Sequence, residues 1–342
     1  MLSLYRLRPF HLLLSIGLLW LLLAACGGGS ETAVSPPPLP ADVALNGSLT
    51  FTRWQDGQQT LLRWDLTTGS LTTLFTVPEG AWLGQTAVSP DGNLIAMTYA
   101  PPLEAGAMQL GDSDLFQMAA TPGAVPQPLF TASIPGETFQ SPTWSVDGRF
   151  LYYVHVIPDP VDVYAAQARI ERWQPQTGNV ELVVASGLWP RLSADGTQLA
   201  YVTATADADA YALWLANADG GSPRQLVTEG TFLAIDAPLF APDGAWLYFS
   251  AVPLATAAAP WWQVPTAAAH MNPSDWWRVP TSGGDPQQIT HVQLAQLYGD
   301  FAGNGRYFAF ASSAGLYLAQ ADGGAVWSLL TATATDSLSW RE

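Results

Sequence analysis

The stretch Leu239-Phe240-Ala241-Pro242-Asp243-Gly244-Ala245-Trp246-Leu247-Tyr248-Phe249 joins two apolar runs through an Asp-Gly pair. Asp-Gly is a strong hairpin signal, because glycine accepts positive φ and the aspartate side chain caps the turn backbone. The run after the turn does not alternate with polar residues, so the sheet it joins must be covered on both faces. The same unit recurs as Ala87-Val88-Ser89-Pro90-Asp91-Gly92, Thr143-Trp144-Ser145-Val146-Asp147-Gly148 and Arg191-Leu192-Ser193-Ala194-Asp195-Gly196. The four aspartates are 56, 48 and 48 residues apart, and a degenerate copy, Phe301-Ala302-Gly303-Asn304-Gly305, follows 61 residues later. A fixed period of this size marks a repeated supersecondary unit.

Each hairpin is followed by a third strand, such as Leu213-Trp214-Leu215-Ala216, then by a second turn, such as Asp219-Gly220-Gly221, and a short fourth strand, such as Gln225-Leu226-Val227. Four antiparallel strands with both faces buried describe a propeller blade. Complete units are predicted at about 86–131, 141–184, 189–227, 237–290 and 297–330. The N-terminal runs beginning at Leu49, Leu61 and Leu71 supply three outer strands, and Ser337-Leu338-Ser339-Trp340 supplies an inner one. Joined, they make a sixth blade from both chain ends and remove the open edge of an incomplete ring. The expected fold is all-β: a six-bladed β-propeller of four-stranded antiparallel blades over residues 49–342, closed by pairing of the N- and C-terminal strands.

The run Ser89-Pro90-Asp91-Gly92 with its apolar strand, and the Trp214 strand with Asp219-Gly220-Gly221-Ser222-Pro223-Arg224-Gln225-Leu226, resemble the repeat of TolB-like six-bladed propellers (the WD40-like, PD40 repeat family). The same repeat occurs in the propeller domains of prolyl-oligopeptidase-like peptidases. The α/β domain of TolB and the peptidase domain have no counterpart among these repeats. The resemblance implies a fold and leaves function open, because propellers are scaffolds with many uses.

Composition narrows the function classes. Twelve basic residues, all arginine, stand against 28 acids, a formal charge of −16. That excludes a nucleic-acid binder with a basic face, lysine Schiff-base chemistry and a Walker lysine. One cysteine excludes an intrachain disulfide and cysteine-based zinc or iron–sulfur sites. Arg6 and Arg8 precede an apolar run, Leu12 to Leu23, too short to span a bilayer comfortably. Residues 1–25 are therefore expected to be a secretory signal peptide. Its ending, Leu23-Ala24-Ala25-Cys26, resembles the bacterial lipobox, which implies lipidation of Cys26. Residues 26–48, rich in Gly, Ser, Thr and Pro, read as a flexible tether. After cleavage 10 arginines face 28 acids, a net −18, so attachment to the membrane must come from the acyl chains.

In an up-and-down blade the first and third turns share one end and the remaining connections share the other. The tight Asp-Gly and Gly-Gly turns fall at the first end. The long connections after Ala100, His155 and Ala251 fall at the second, where binding residues usually collect. That face is expected to carry Trp82 and Trp189 in inter-blade connections, Trp261, Trp262 and His270 in the longest loop, and His155 and His291. Adjacent tryptophans offer stacking area for a sugar or a partner's apolar anchor. Asp112 with Asp114, and Asp207 with Asp209, are short acidic pairs that lack the calcium-loop continuation. No Gly-x-Ser-x-Gly elbow, His-Glu-x-x-His pattern or phosphate loop is present, so no catalytic residue, metal or cofactor is assigned. The reading that results is a monomeric, lipid-anchored extracytoplasmic scaffold that binds an envelope protein or glycan through its long-loop face. The alternatives are a polysaccharide lyase or hydrolase with a His/acid site at the axial channel, and an envelope spacer without a ligand.

Overall fold

A computed structural model describes residues 43, 45–103, 113–159, 161, 166–204, 210–254, 273–331 and 337–342. The chain divides into two units, 1–36 and 37–342. All described residues belong to the second, and among them no helix forms. The signal peptide and Cys26 lie outside the described residues, as do Trp261, Trp262, His270, Asp112, Asp207 and Asp209.

Blade 1 contains β1 (Ser48–Gln55), β2 (Gln58–Asp65) and β3 (Leu71–Thr76). Blade 2 contains β4 (Trp82–Val88), β5 (Leu94–Ala100), β6 (Asp114–Ala119) and β7 (Gln127–Phe130). Blade 3 contains β8 (Thr138–Trp144), β9 (Leu151–Ile157), β10 (Gln167–Trp173) and β11 (Val180–Val184). Blade 4 contains β12 (Leu188–Leu192), β13 (Gln198–Ala204), β14 (Tyr211–Asn217) and β15 (Arg224–Val227). Blade 5 contains β16 (Phe232–Phe240), β17 (Trp246–Pro253), β18 (Asp275–Pro280) and β19 (Gln287–Gln288). Blade 6 contains β20 (Tyr298–Phe301), β21 (Tyr307–Ser312), β22 (Gly315–Gln320) and β23 (Val326–Thr331). The last strand, β24 (Leu338–Arg341), pairs antiparallel with β1, Leu49 opposite Trp340 and Phe51 opposite Leu338, giving blade 1 the order β24-β1-β2-β3. The six sheets and the closure by both chain ends are as expected from the repeat.

Burial explains why the second strands do not alternate. Leu151, Tyr152, Tyr153 and Val154 of β9 are all 2% exposed or less. The core is six apolar clusters, each filling the seam between two neighbouring blades. Leu61 and Leu74 meet Ile95 and Phe116 between blades 1 and 2, and Leu62 meets Leu318 and Trp327 between blades 6 and 1. Each fully buried Leu or Phe contributes about 1.5–3 kcal/mol, so the seams hold the ring together.

The Asp-Gly hairpins are relays. Ser89, Ser145 and Ser193 each donate to the aspartate two residues on, at 2.6, 2.7 and 2.6 Å. Each serine hydroxyl also accepts an amide at or just before the start of the next strand, that of Leu94, Phe150 or Gln198, at 2.9–3.0 Å. The hydrogen bond from serine is the first cause that holds Asp91, Asp147 and Asp195 below the usual carboxylate pKa.

The inner strands begin earlier than the repeat suggests. Trp82 and Trp189 are expected in inter-blade connections, whereas Trp82 opens β4 and Trp189 is the second residue of β12. The reason is a β-bulge in four inner strands: three steps on β4, β8, β12 and β16 face two on the partner, as from Leu188/Val202 to Arg191/Ala200. In three of them the bulge carries positive φ at a residue before proline: Ser141 (53°), Trp189 (54°) and Ala237 (45°). A proline inside a strand pattern marks such a bulge rather than the end of the strand.

Candidate functional site in the axial channel

The six inner strands line the ring's axis, and their side chains divide the channel into two parts. On the side where the inner strands begin, a small cavity of ≈ 70 Å³ touches all six blades, among them through Thr86, Ser141, Trp189, Ala237, Tyr298 and Ser337. Trp189 and Tyr298 face each other there with ring centroids 5.6 Å apart. Toward the tight turns the channel widens to ≈ 360 Å³, lined by Trp144, Phe240, Phe301 and Trp340 and by three charged residues.

Those three form one group. Arg191 Nη2 lies 2.6 Å from Asp300 Oδ1, and Arg341 Nη1 lies 3.5 Å from Asp300 Oδ2. Asp300 is buried and also accepts the amides of Phe301 and Trp340 at 3.1 and 2.8 Å. Arg341 is held by the carbonyls of Trp340 and Val88 at 2.9 and 2.8 Å. Two guanidiniums share one carboxylate, so the side chains lining the wide mouth sum to one positive charge in a chain of charge −16, with the Glu342 carboxylate at the rim on the Gly303 amide at 2.9 Å. A fixed, partly desolvated guanidinium is well suited to a carboxylate or phosphate. Arg191, Asp300 and Arg341 escape sequence reading because they come from three distant repeats. The available signal is a break in the repeat: the residue after the bulge proline is Thr143 in blade 3, Leu239 in blade 5 and Arg191 in blade 4.

Of the predicted histidines, the described pair His155 and His291 do not meet at the axis. His155 of β9 is 9% exposed. Its Nε2 lies 2.7 Å from Glu137 and its Nδ1 lies 3.2 Å from Glu171. Its ring stacks on Phe139 at 4.4 Å. Tyr153 donates to Glu171 at 2.9 Å, Arg169 pairs with Glu171 at 2.6 Å, and Ser133 donates through its amide and hydroxyl to Glu137. Burial disfavours the imidazolium, but the hydrogen bonds it donates to Glu171 and Glu137 outweigh this and raise the His155 pKa. Burial likewise pushes both carboxylates up, and their hydrogen bonds, to Ser133 and His155 for Glu137 and to His155 and Tyr153 for Glu171, bring them below the ordinary range. The result is a buried ion network within blade 3. His291 is exposed after β19 of blade 5, where Gln288 Nε2 lies 3.0 Å from its Nδ1. Trp82 is 40% exposed and its ring lies over Gly84. Asp114 accepts the Ala132 amide at 2.7 Å, and among the described residues no three His, Cys, Asp or Glu are placed to hold a metal ion.

No protein-family model and no curated protein matches the chain. Solved structures do. A structure described as TolB from Agrobacterium tumefaciens superposes with TM-score 0.58 at 17% identity, covering 86% of this chain and 92% of that one. TolB from Acinetobacter baumannii gives 0.61 at 14%, covering 86% of this chain and 66% of that one. An oligogalacturonate lyase from Vibrio parahaemolyticus gives 0.51 at 13%, covering 83% and 74%. Likeness at these identities is likeness of architecture, and it agrees with the six closed blades described above: in fold, this chain is a TolB-like six-bladed β-propeller.

Proposed function

We propose that the protein is an exported scaffold, lipidated at Cys26, that holds an acidic group of an envelope partner at the wide mouth of its axial channel. The observation that carries this reading is the Arg191–Asp300–Arg341 group, a net positive charge fixed among aromatic walls in a strongly acidic molecule. Electrostatic complementarity at such a spot selects an acidic partner and rejects the like-charged remainder of the surface. Trp261, Trp262 and His270, expected on the long-loop face, lie outside the described residues; the described charge group supports a site at the opposite end of the channel. The lyase or hydrolase reading rests on architecture alone, because His155 is clamped inside blade 3 and lines neither axial cavity.

Affinity capture from native membranes tests the proposal. The mature protein is expected to retain a discrete partner that an Arg191→Ala variant with unchanged melting temperature loses. An identical capture profile for both proteins overturns it. Metabolic labelling with a fatty-acid analogue tests the anchor: label is expected on the wild type and absent from Cys26→Ser, and an unlabelled wild type rejects lipidation.

A further inference from the structure

Two seams of the ring are built on one plan and differ in charge. Between blades 3 and 4, Tyr152 of β9 donates across the seam to the Ala218 carbonyl at 2.9 Å, and Arg172 of β10 lies over the Phe150 ring at 4.5 Å. Between blades 5 and 6, Tyr248 of β17 donates to the Ala321 carbonyl at 2.6 Å, and Arg278 of β18 lies over the Trp246 ring at 4.2 Å. The residue opposite the arginine separates them. Arg172 faces Glu181 and forms an ion pair with it, whereas Arg278 faces Gln287, whose amide oxygen accepts at 3.3 Å. Arg278 is thus positioned by Gln287, Tyr248 and Ala321, and its charge is not cancelled by an adjoining strand.

Arg278 and Trp246 open onto a groove of ≈ 570 Å³ at the tight-turn end, shared with Asp243, Asn304, Arg306 and Asp322. Arg306 is exposed and lies near the Tyr307 ring at 5.7 Å. Among the described residues neither Arg278 nor Arg306 forms an ion pair. Asp243 and Asp322 each spend Oδ1 on their own turn, accepting the amides of Ala245 at 2.9 Å and Gly324 at 3.1 Å, so Oδ2 of each is not engaged by the turn. The groove therefore presents two guanidinium donors, two carboxylate acceptors and the Asn304 Nδ2 donor, the Asn304 Oδ1 being taken by the Arg306 amide at 2.9 Å, beside an indole that Arg278 covers. Their charges cancel. A ligand hydroxyl donates and accepts at once and matches such a set, and planar side chains grip vicinal hydroxyls in pairs.

We propose that the groove between blades 5 and 6 is a binding site for a neutral saccharide, separate from the axial mouth. Titration of the mature protein with maltotetraose, cellotetraose and chitotetraose, followed by saturation-transfer NMR, is the test. At least one of the three is expected to bind. Arg306→Ala and Asp322→Asn, both exposed, are expected to weaken it at least fivefold. Asp219→Asn, the matching change in the blade 3 and 4 seam, is expected to leave it unaltered. Absence of binding by all three sugars, or an affinity unchanged in both groove variants, overturns the proposal. Neither outcome bears on the axial site, which Arg191→Ala probes.

Discussion

Single residues in this propeller work by hydrogen-bond relay or by charge neutralisation, and each role carries a distinct expected cost. Ser193 is buried, donates to Asp195 and accepts the Gln198 amide. Ser193→Ala leaves that amide without its side-chain partner and is expected to cost about 1–3 kcal/mol in chemical denaturation. His155 between Glu137 and Glu171 is more sensitive. His155→Gln leaves Glu137 buried without a cation and Glu171 with Arg169 alone, and is expected to cost about 3–5 kcal/mol, with partial recovery in His155→Gln/Glu137→Gln. The pH dependence has a defined sign. A raised His155 pKa contributes stability present below its ordinary value of 6.5 and lost as pH rises through the folded value. Lowered Glu137 and Glu171 pKa values contribute stability present above 4.5 and lost on acidification. The melting temperature is therefore expected to be highest between about pH 4.5 and 6.5, and His155→Gln is expected to flatten its alkaline limb. An unchanged pH profile in the variant would show that the network does not titrate. The sequence displayed none of this network, because Glu137 in the connection before β8, His155 of β9 and Glu171 of β10 have a spacing that carries no motif. The turn role of the aspartates, by contrast, was legible in the repeat, and serine stands two residues before three of them.

At the scale of strands, the hairpin positions and blade count are written in the Asp-Gly turns, whose glycines adopt φ of +74°, +68°, +71° and +68° at Gly92, Gly148, Gly196 and Gly244. The starts of the inner strands are less legible, because a bulge shifts the apolar pattern by one residue and removes the alternation on which a strand boundary is read. Proline five residues before the aspartate, at Pro142, Pro190 and Pro238, is the sequence mark of that bulge. Trp189 precedes one of these prolines with φ of 54°. A tryptophan rarely adopts this backbone, and glycine does so without strain. Trp189→Gly is expected to relieve the strain while removing the ring that faces Tyr298, opening the narrow part of the channel; faster solvent quenching of Tyr298-side probes would report it, and unchanged access would contradict it. Between strands of different blades, Phe308 is fully buried and meets Trp276 and Tyr248 at 5.3 and 5.6 Å. Phe308→Ala is expected to cost about 3–5 kcal/mol in equilibrium unfolding, as for a large ring removed from a packed core.

For the whole molecule, closure decides whether six sheets behave as one body. Pairing of β24 with β1 joins chain ends almost 300 residues apart, Trp340 donating its indole N–H to the Asn46 carbonyl across 294 positions. Gly47 sits at this junction with φ of +80°, against the Arg341 carbonyl, where a Cβ has no room. Gly47→Ala is therefore expected to destabilise the ring as a whole rather than one blade. The closing contacts also position Arg341 at the axial mouth, so ring and candidate site depend on the same strand. Closure was legible in the sequence, because three strands at one end lacked an inner partner and one strand at the other lacked followers. The charge group at the axis was not, since its members meet only when the ring is shut. The most direct test of this account is a cross-link between paired strands: in a Cys26→Ser background, Thr50→Cys and Ser339→Cys occupy facing positions of β1 and β24. Mild oxidation is expected to form an intramolecular disulfide in the folded monomer, seen by intact mass, and to raise its melting temperature. Free thiols at both positions in the folded protein, or a disulfide found only between chains, would contradict a ring sealed by its own two ends.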